Sequence, residues 1–122
     1  MNKVPSDEDF ARANRLMQER FRNLSIVEEN IVQRFERRCP LAKFVLLPHD
    51  ERSFKAYVFF ETDKDIDACK RSGVTQEIIE AVYEELERAG RGTRPGITVR
   101  FGWDSHENVV INYDGDYLLR LR

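Results

Sequence analysis

Five consecutive polar residues near the end of the chain include every side-chain type of a hydrolase triad: Asp104, Ser105, His106, Glu107 and Asn108. A working triad needs its base and nucleophile to be brought together by the fold beside an oxyanion hole. Residues adjacent in a tight turn point in diverging directions, and Ser105 lacks the glycine-flanked elbow that exposes a nucleophilic serine. The segment instead predicts a polar turn in which Asp104, Ser105 and Asn108 bond the local backbone.

The two histidines are the remaining candidates for a metal ligand or a general base. His49 lies beside two acidic residues, and it would have to fold next to His106 to form a site. Cys39 and Cys69 have no CxxC spacing, and the glycines of residues 90–96 match no phosphate-binding loop. We therefore predict no enzyme activity, metal or cofactor. A small hydrolase or metal-dependent enzyme that uses His49 and His106 is the alternative.

Acidic side chains are concentrated in residues 61–90. This segment contains nine acids and four bases, whereas the net charge of the whole chain is −2. A helix predicted over residues 75–89 places Glu77, Glu80, Glu84 and Glu87 on one face. Like charges at this spacing destabilise a helix by about 0.2–0.5 kcal/mol per pair. The face is either plainly solvated or an anionic docking surface for a basic partner.

The aromatic residues of the C-terminal region are divided between core and surface. Trp103 continues the apolar face of a predicted strand, which favours the core. Tyr113 and Tyr117 flank Asp114-Gly115-Asp116, so we expect them to be partly exposed and to supply contact area for a partner. In residues 1–40 the acids nearly balance the bases, which argues against nucleic-acid binding.

These residues must be positioned by a mixture of helices and strands. Capping signals and hydrophobic periodicity predict helices near residues 7–23, 25–39, 63–73 and 75–89, and strands near 41–47, 54–61, 97–103, 109–113 and 117–121. We therefore predict an α+β fold with an antiparallel sheet of four or five strands and helices packed on one face. Two helices are N-terminal, and one helix lies between the two hairpins. Residues 1–122 are expected to form one domain, which is cytoplasmic because no membrane span or signal peptide is evident.

The C-terminal segment, residues 97–122, resembles the ending of small bacterial immunity proteins that accompany polymorphic or contact-dependent-inhibition toxins. The residues that carry the resemblance are Asp104-Ser105-His106-Glu107-Asn108-Val109, Asn112-Tyr113-Asp114-Gly115-Asp116-Tyr117 and Leu119-Arg120-Leu121-Arg122. A looser similarity extends back through residues 57–63 and the acidic helix.

The resemblance implies a non-enzymatic protein that binds and neutralises a cognate toxin domain. It brings no catalytic residues, so the partner-binding residues are inferred from exposed charge and aromatic rings. They are Glu77, Glu80, Glu84, Glu87, Asp104, His106, Glu107, Tyr113, Asp116 and Tyr117. We expect a monomer or weak homodimer that binds neither nucleic acid nor membrane. A homodimeric regulatory or scaffold domain, paired through a β edge at residues 117–122, is a further alternative.

Overall fold

The computed structural model describes residues 6–122, which contain six α-helices and three β-strands. In chain order these are α1 (Asp7–Phe21), α2 (Leu24–Phe35), β1 (Leu41–Pro48), β2 (Ser53–Phe60), α3 (Asp63–Ser72), α4 (Val74–Arg88), β3 (Thr98–Ser105), α5 (His106–Tyr113) and α6 (Tyr117–Arg120). A short 3-10 helix, Arg94–Gly96, precedes β3. No helix in this part of the chain is both long and apolar enough to cross a membrane.

The sheet has three strands in the order β1-β2-β3, and it is mixed. β1 and β2 form an antiparallel hairpin in which Leu46 lies opposite Ala56. β2 and β3 are parallel, with Phe60 opposite Ser105, and α3 and α4 form the crossover between them. The prediction of a four- or five-stranded antiparallel sheet was wrong. Parallel sheets are recognised in a sequence by repeated alternation of strands and helices. This chain has only one helical crossover between paired strands, so its single parallel pair leaves no such pattern.

The two C-terminal strands that the sequence predicted are helices α5 and α6. The run Val109, Val110 and Ile111 is β-branched and favours a strand by propensity. However, the Ser105 side chain accepts a hydrogen bond from the Asn108 N–H and caps a helix that begins at His106. α5 has only eight residues, too few for periodicity to separate helix from strand.

Asp114 and Gly115 explain why a hairpin turn was predicted between these two segments. Both residues have positive φ, 53° and 75°, as a two-residue hairpin turn would require. Here they end α5 instead, and the N–H groups of both donate to the carbonyl of Val109. A turn and a helix C-terminus demand the same backbone conformation, so the dipeptide alone does not distinguish them.

The N-terminal half agrees more closely with the predicted elements. Ser6 caps α1 in a capping box with Asp9, and Gly73 adopts φ 90° between α3 and α4. Ser25 and Glu28 have the spacing of a capping box, but α2 begins earlier, at Leu24, and no side chain caps it. Glu28 instead accepts a hydrogen bond from the Leu46 N–H at 2.9 Å and so satisfies a donor of β1.

The main core lies between one face of the sheet and helices α2 and α4. Its members alternate along the strands and recur on the buried faces of these helices. They include Val27, Ile31, Phe35, Phe44, Leu46, Phe54, Ala56, Val58, Ile78, Val82, Leu86 and Val99. The other face of the sheet is partly covered by α6, where the Tyr117 ring meets Phe59 edge-on at 4.9 Å. Helices therefore lie on both faces of the sheet, whereas the sequence predicted helices on one face.

Candidate functional site

Asp104 anchors the C-terminal helices to the end of β3. Its carboxylate is 8% exposed and forms an ion pair with Arg120 of α6. The side-chain amide of Asn108, on α5, donates to both carboxylate oxygens at 3.0 and 3.1 Å. Because the carboxylate is occupied by contacts within the chain, Asp104 has a structural role and offers little to a partner.

Ser105 and His106 are neighbours in sequence but take part in different contacts. Ser105 is fully buried; its hydroxyl caps α5 and donates to Asp63 at 2.5 Å. His106 Nδ1 instead lies 2.7 Å from the hydroxyl of Tyr117. The structure thus separates the three side-chain types of the apparent triad. The expected bonding to the local backbone is confirmed for Asp104 and Ser105, which accept hydrogen bonds from the N–H groups of Ser105 and Asn108. The Asn108 side chain instead binds the Asp104 carboxylate. These contacts start a helix and do not form a turn between strands.

Tyr117 fastens α6 to the sheet. Its ring stacks with that of His106 at 5.8 Å, and the ammonium of Lys43 lies 4.8 Å from the ring centre. Burial raises the pKa of Tyr117, so the phenol remains protonated at neutral pH. The aromatic pair and the Asp104–Arg120 ion pair together hold α6 in one position.

His49 lies at the opposite end of the sheet from His106. It follows β1 in the hairpin, close to Phe54, whereas His106 follows β3 at the level of Phe60. Six residues of strand separate these levels, a distance of roughly 20 Å. The fold therefore excludes an enzyme site that is built on both histidines. Within residues 6–122, no cluster of three or more potential metal ligands is found.

The predicted acidic face of α4 is largely neutralised by arginines. Arg34 lies on α2, Arg38 lies in the turn that follows α2, and Arg94 precedes β3. The ion pairs are Glu77 with Arg38 at 2.7 Å, Glu80 with Arg94 at 2.5 Å, and Glu84 with Arg34 at 3.2 Å. Exposed pairs of this kind contribute about 0–1 kcal/mol each. They offset the like-charge repulsion within α4, and they reduce the anionic field that a partner would meet there.

Glu85 is a charged residue whose role the sequence reasoning missed. It is 2% exposed and accepts hydrogen bonds from Asn30 at 2.9 Å and from the arginines Arg34 and Arg88 at 3.3 and 3.0 Å. A signal was present, because Glu85 falls seven residues after Ile78, on the apolar face of the helix. Its carboxylate joins α2 to α4 and belongs to the core.

Exposed apolar side chains occur on both C-terminal helices. Their exposed fractions range from 42% for Leu119 to 79% for Leu118, with Val110 and Ile111 between these values. Acidic residues flank them: Glu107 lies in the first turn of α5, Asp114 is its C-cap, and Asp116 caps α6. We call this set the C-terminal surface; it comprises Glu107, Val110, Ile111, Asp114, Asp116, Leu118 and Leu119. The sequence reasoning missed its apolar members because it assigned them to strands.

An open groove lies beside the C-terminal surface. It has a volume of about 710 Å³ and runs between α2, β1 and α6. Val32, Val45 and Leu47 give it apolar walls, and Leu118 belongs both to the groove and to the C-terminal surface. Leu118 therefore joins the groove to the C-terminal surface, and we treat the two features as one candidate interface.

The remaining site residues of the sequence prediction lie close to this interface. Tyr113 is half-buried, with the Arg120 guanidinium 5.8 Å from its ring. Asp116 accepts hydrogen bonds from the N–H groups of Leu118 and Leu119 at the start of α6. The structure therefore gathers the predicted residues from Asp104 to Tyr117 at one end of the sheet. The four glutamates of α4 lie on a different element.

Cys39 and Cys69 are buried near one another, and we expect both to react slowly. Burial, together with the neighbouring Cys69, raises the pKa of Cys39 to about 11, and burial also raises the pKa of Cys69. A pKa about two units above that of a solvated thiol lowers the thiolate fraction at pH 8 about a hundredfold. Labelling of the folded chain by a thiol reagent should therefore be at least about a hundredfold slower than labelling in denaturant. Equal rates in the two conditions would contradict the buried placement.

Comparison of this chain with protein-family models, with curated proteins and with solved structures finds no match.

Proposed function

We propose that this chain is a non-enzymatic immunity protein, which binds a cognate toxin domain in the cytoplasm through its C-terminal surface and the adjoining groove. The observation that carries the proposal is the group of exposed apolar residues on α5 and α6, with acidic residues around them. Exposed apolar side chains that occur as a group, rimmed by polar residues, are typical of protein-protein interaction sites. The same residues lie in the segment that resembles immunity proteins.

The chemistry of this surface favours a partner with apolar and basic groups. Ile111 and Leu118 protrude furthest and can enter pockets on a partner, where buried apolar anchors contribute most binding energy. Glu107, Asp114 and Asp116 would attract basic side chains at the rim and increase the association rate. The acidic face of α4 is a weaker candidate because three of its four glutamates already have arginine partners.

The contacts beneath the surface favour binding without rearrangement. Asp104, Arg120, His106 and Tyr117 fix α6 on the sheet before any partner arrives. Fixing a binding surface in advance lowers the entropy cost of association. Asp104 and His106 of the apparent triad therefore hold in place the helix that presents the interface.

A co-purification experiment tests the proposal directly. The chain is expressed with the toxin domain encoded beside it, and the complex is isolated at low and moderate salt. We expect a stable complex at both concentrations, because the central contacts are apolar and salt screens mainly the charged rim. We also expect co-expression to restore growth of cells that produce the toxin. The proposal fails if no neighbouring toxin domain forms a complex and none is neutralised.

A further inference from the structure

The N-terminal helix α1 carries an apolar stripe that no other described part of the chain covers. All fifteen of its residues are exposed. Phe10, Met17 and Phe21 are 59%, 60% and 48% exposed, and at 100° per residue they fall within about 40° of one another. Three large apolar side chains therefore form a single stripe along the helix.

The C-terminal end of helix α1 is fixed by hydrogen bonds to the body of the protein. The Arg91 guanidinium donates to the carbonyls of Arg20 and Arg22, each at 2.9 Å, and the Asn23 side chain donates to the carbonyl of Ala89. The N-terminal end has its own capping box but no burial. A helix of fifteen residues is marginal in water by itself, so covering the stripe would stabilise it.

The charges of α1 identify what can cover it. The first turn is acidic, with Asp7, Glu8 and Asp9. The last turn contains Glu19 and the basic Arg20, followed by Arg22, and Glu19 lies about 180° from Phe10, on the side of the helix opposite the stripe. An antiparallel neighbour with the same sequence would place acidic against basic residues at both ends. A parallel neighbour would place like charges together. We propose that α1 is a homodimerisation helix, which pairs with α1 of a second copy in antiparallel orientation about a two-fold axis.

The spacing of the residues is consistent with this pairing. With Phe10 of one copy opposite Phe21 of the second, Met17 lies close to the two-fold axis. Asp9 and Arg20 lie on the same edge of the stripe. In an antiparallel pair of helices related by a two-fold axis, the same edge of each helix faces the other, so Asp9 of one copy lies near Arg20 of the second. Because α1 is attached at its C-terminal end, the antiparallel arrangement also places the bodies of the two copies at opposite ends of the helix pair.

Sedimentation equilibrium of the full chain tests the stripe. Wild type should reversibly form dimers, and Met17→Glu should raise the dissociation constant at least about tenfold, because two buried methionines are lost per dimer. Leu16→Glu is the matched control: Leu16 is 56% exposed and adjacent in sequence but lies off the stripe, so this variant should dimerise like wild type. Circular dichroism of each variant establishes that it is folded.

Charge exchange tests the orientation. Asp9→Lys and Arg20→Glu should each raise the dissociation constant about three- to tenfold at low salt, and the double variant should restore much of the loss. Asp9 also belongs to the capping box, so replacing it weakens the start of α1. The decisive comparison is therefore between Asp9→Lys and the double variant, because both lack this capping interaction. Parallel pairing would predict no restoration.

Three results would overturn the proposal. The first is a wild-type chain that remains monomeric at its highest soluble concentration. The second is a dimer that Met17→Glu leaves unchanged, which would place the interface elsewhere. The third is a monomer that binds vesicles of anionic lipid through α1, since the stripe would then be a membrane-surface helix.

Discussion

Replacing Ile111 and Leu118 together with aspartate should weaken toxin binding at least about a hundredfold, since each buried apolar anchor contributes roughly 2 kcal/mol. Both side chains protrude into solvent, with exposed fractions of 69% and 79%, so the free protein should lose less than about 0.5 kcal/mol of stability. Calorimetric titration with the toxin domain measures the affinity, and urea unfolding measures the stability.

The matched control for this variant lies on α4. Replacing Glu80 and Glu84 with glutamine removes two of the acidic residues that the sequence placed at the interface, and it also breaks their ion pairs with Arg94 and Arg34. We expect the control to bind toxin within about threefold of wild type, since exposed ion pairs contribute little. The opposite pattern, with binding lost in the α4 variant and kept in the C-terminal variant, would move the interface to α4.

Replacing Arg120 with methionine should destabilise the protein by about 2–3 kcal/mol. Asp104 is 8% exposed in the wild-type chain, and the change leaves its carboxylate with Asn108 as the remaining side-chain donor. Breaking a fully buried ion pair by removing one partner costs about 3–5 kcal/mol, and we expect less here because the Arg120 side chain is 24% exposed. Equilibrium unfolding in urea, with the slope unchanged, measures the loss.

Two variants make the interpretation of the Arg120 result specific. Arg122→Met removes a charge of the same kind two residues away, where the residue is exposed, and should change stability by less than about 0.5 kcal/mol. Adding Asp104→Asn to Arg120→Met removes the unpaired buried charge and should recover part of the loss. If Arg120→Met unfolds at the wild-type urea concentration, the ion pair does not hold α6 on the sheet.

The two predictions are linked through α6. This helix presents Leu118 to the candidate interface and is held by Arg120 and Tyr117. Arg120→Met should therefore also weaken toxin binding, although Arg120 itself lies behind the surface. Hydrogen exchange at residues 117–121 should increase in that variant, since release of α6 exposes its amides.

Local signals in the sequence predicted the elements of the N-terminal half. Ser6 and its following acidic residues define the start of α1, and Pro40 separates α2 from β1, because a proline disfavours helix at the residue before it. Alternation of apolar residues predicts the face of β2 that carries Phe54, Ala56 and Val58. These features depend on a few neighbouring residues, so the sequence contains them directly.

The C-terminal region was less predictable because its local signals are ambiguous. Val109 to Ile111 favours strand by propensity, and Asp114-Gly115 fits a hairpin turn as well as a helix end. Burial of Val109 and capping by Ser105 decide in favour of helix. The Ser105 hydroxyl is itself held by Asp63 of α3, which is distant in the sequence. The mistaken strands concealed the exposed apolar residues of the C-terminal surface.

The sequence by itself determined the positions of the first helices and strands, the apolar faces of the main core, and the local backbone bonding of Asp104 and Ser105. Only the tertiary structure decided that β3 pairs in parallel with β2 and that His49 and His106 lie at opposite ends of the sheet. It also decided that arginines from α2, from the turn after it and from the segment before β3 neutralise the acidic face of α4. Capping and periodicity act between residues a few positions apart, whereas strand pairing and ion pairs between elements join distant parts of the chain and are selected by packing of the whole molecule.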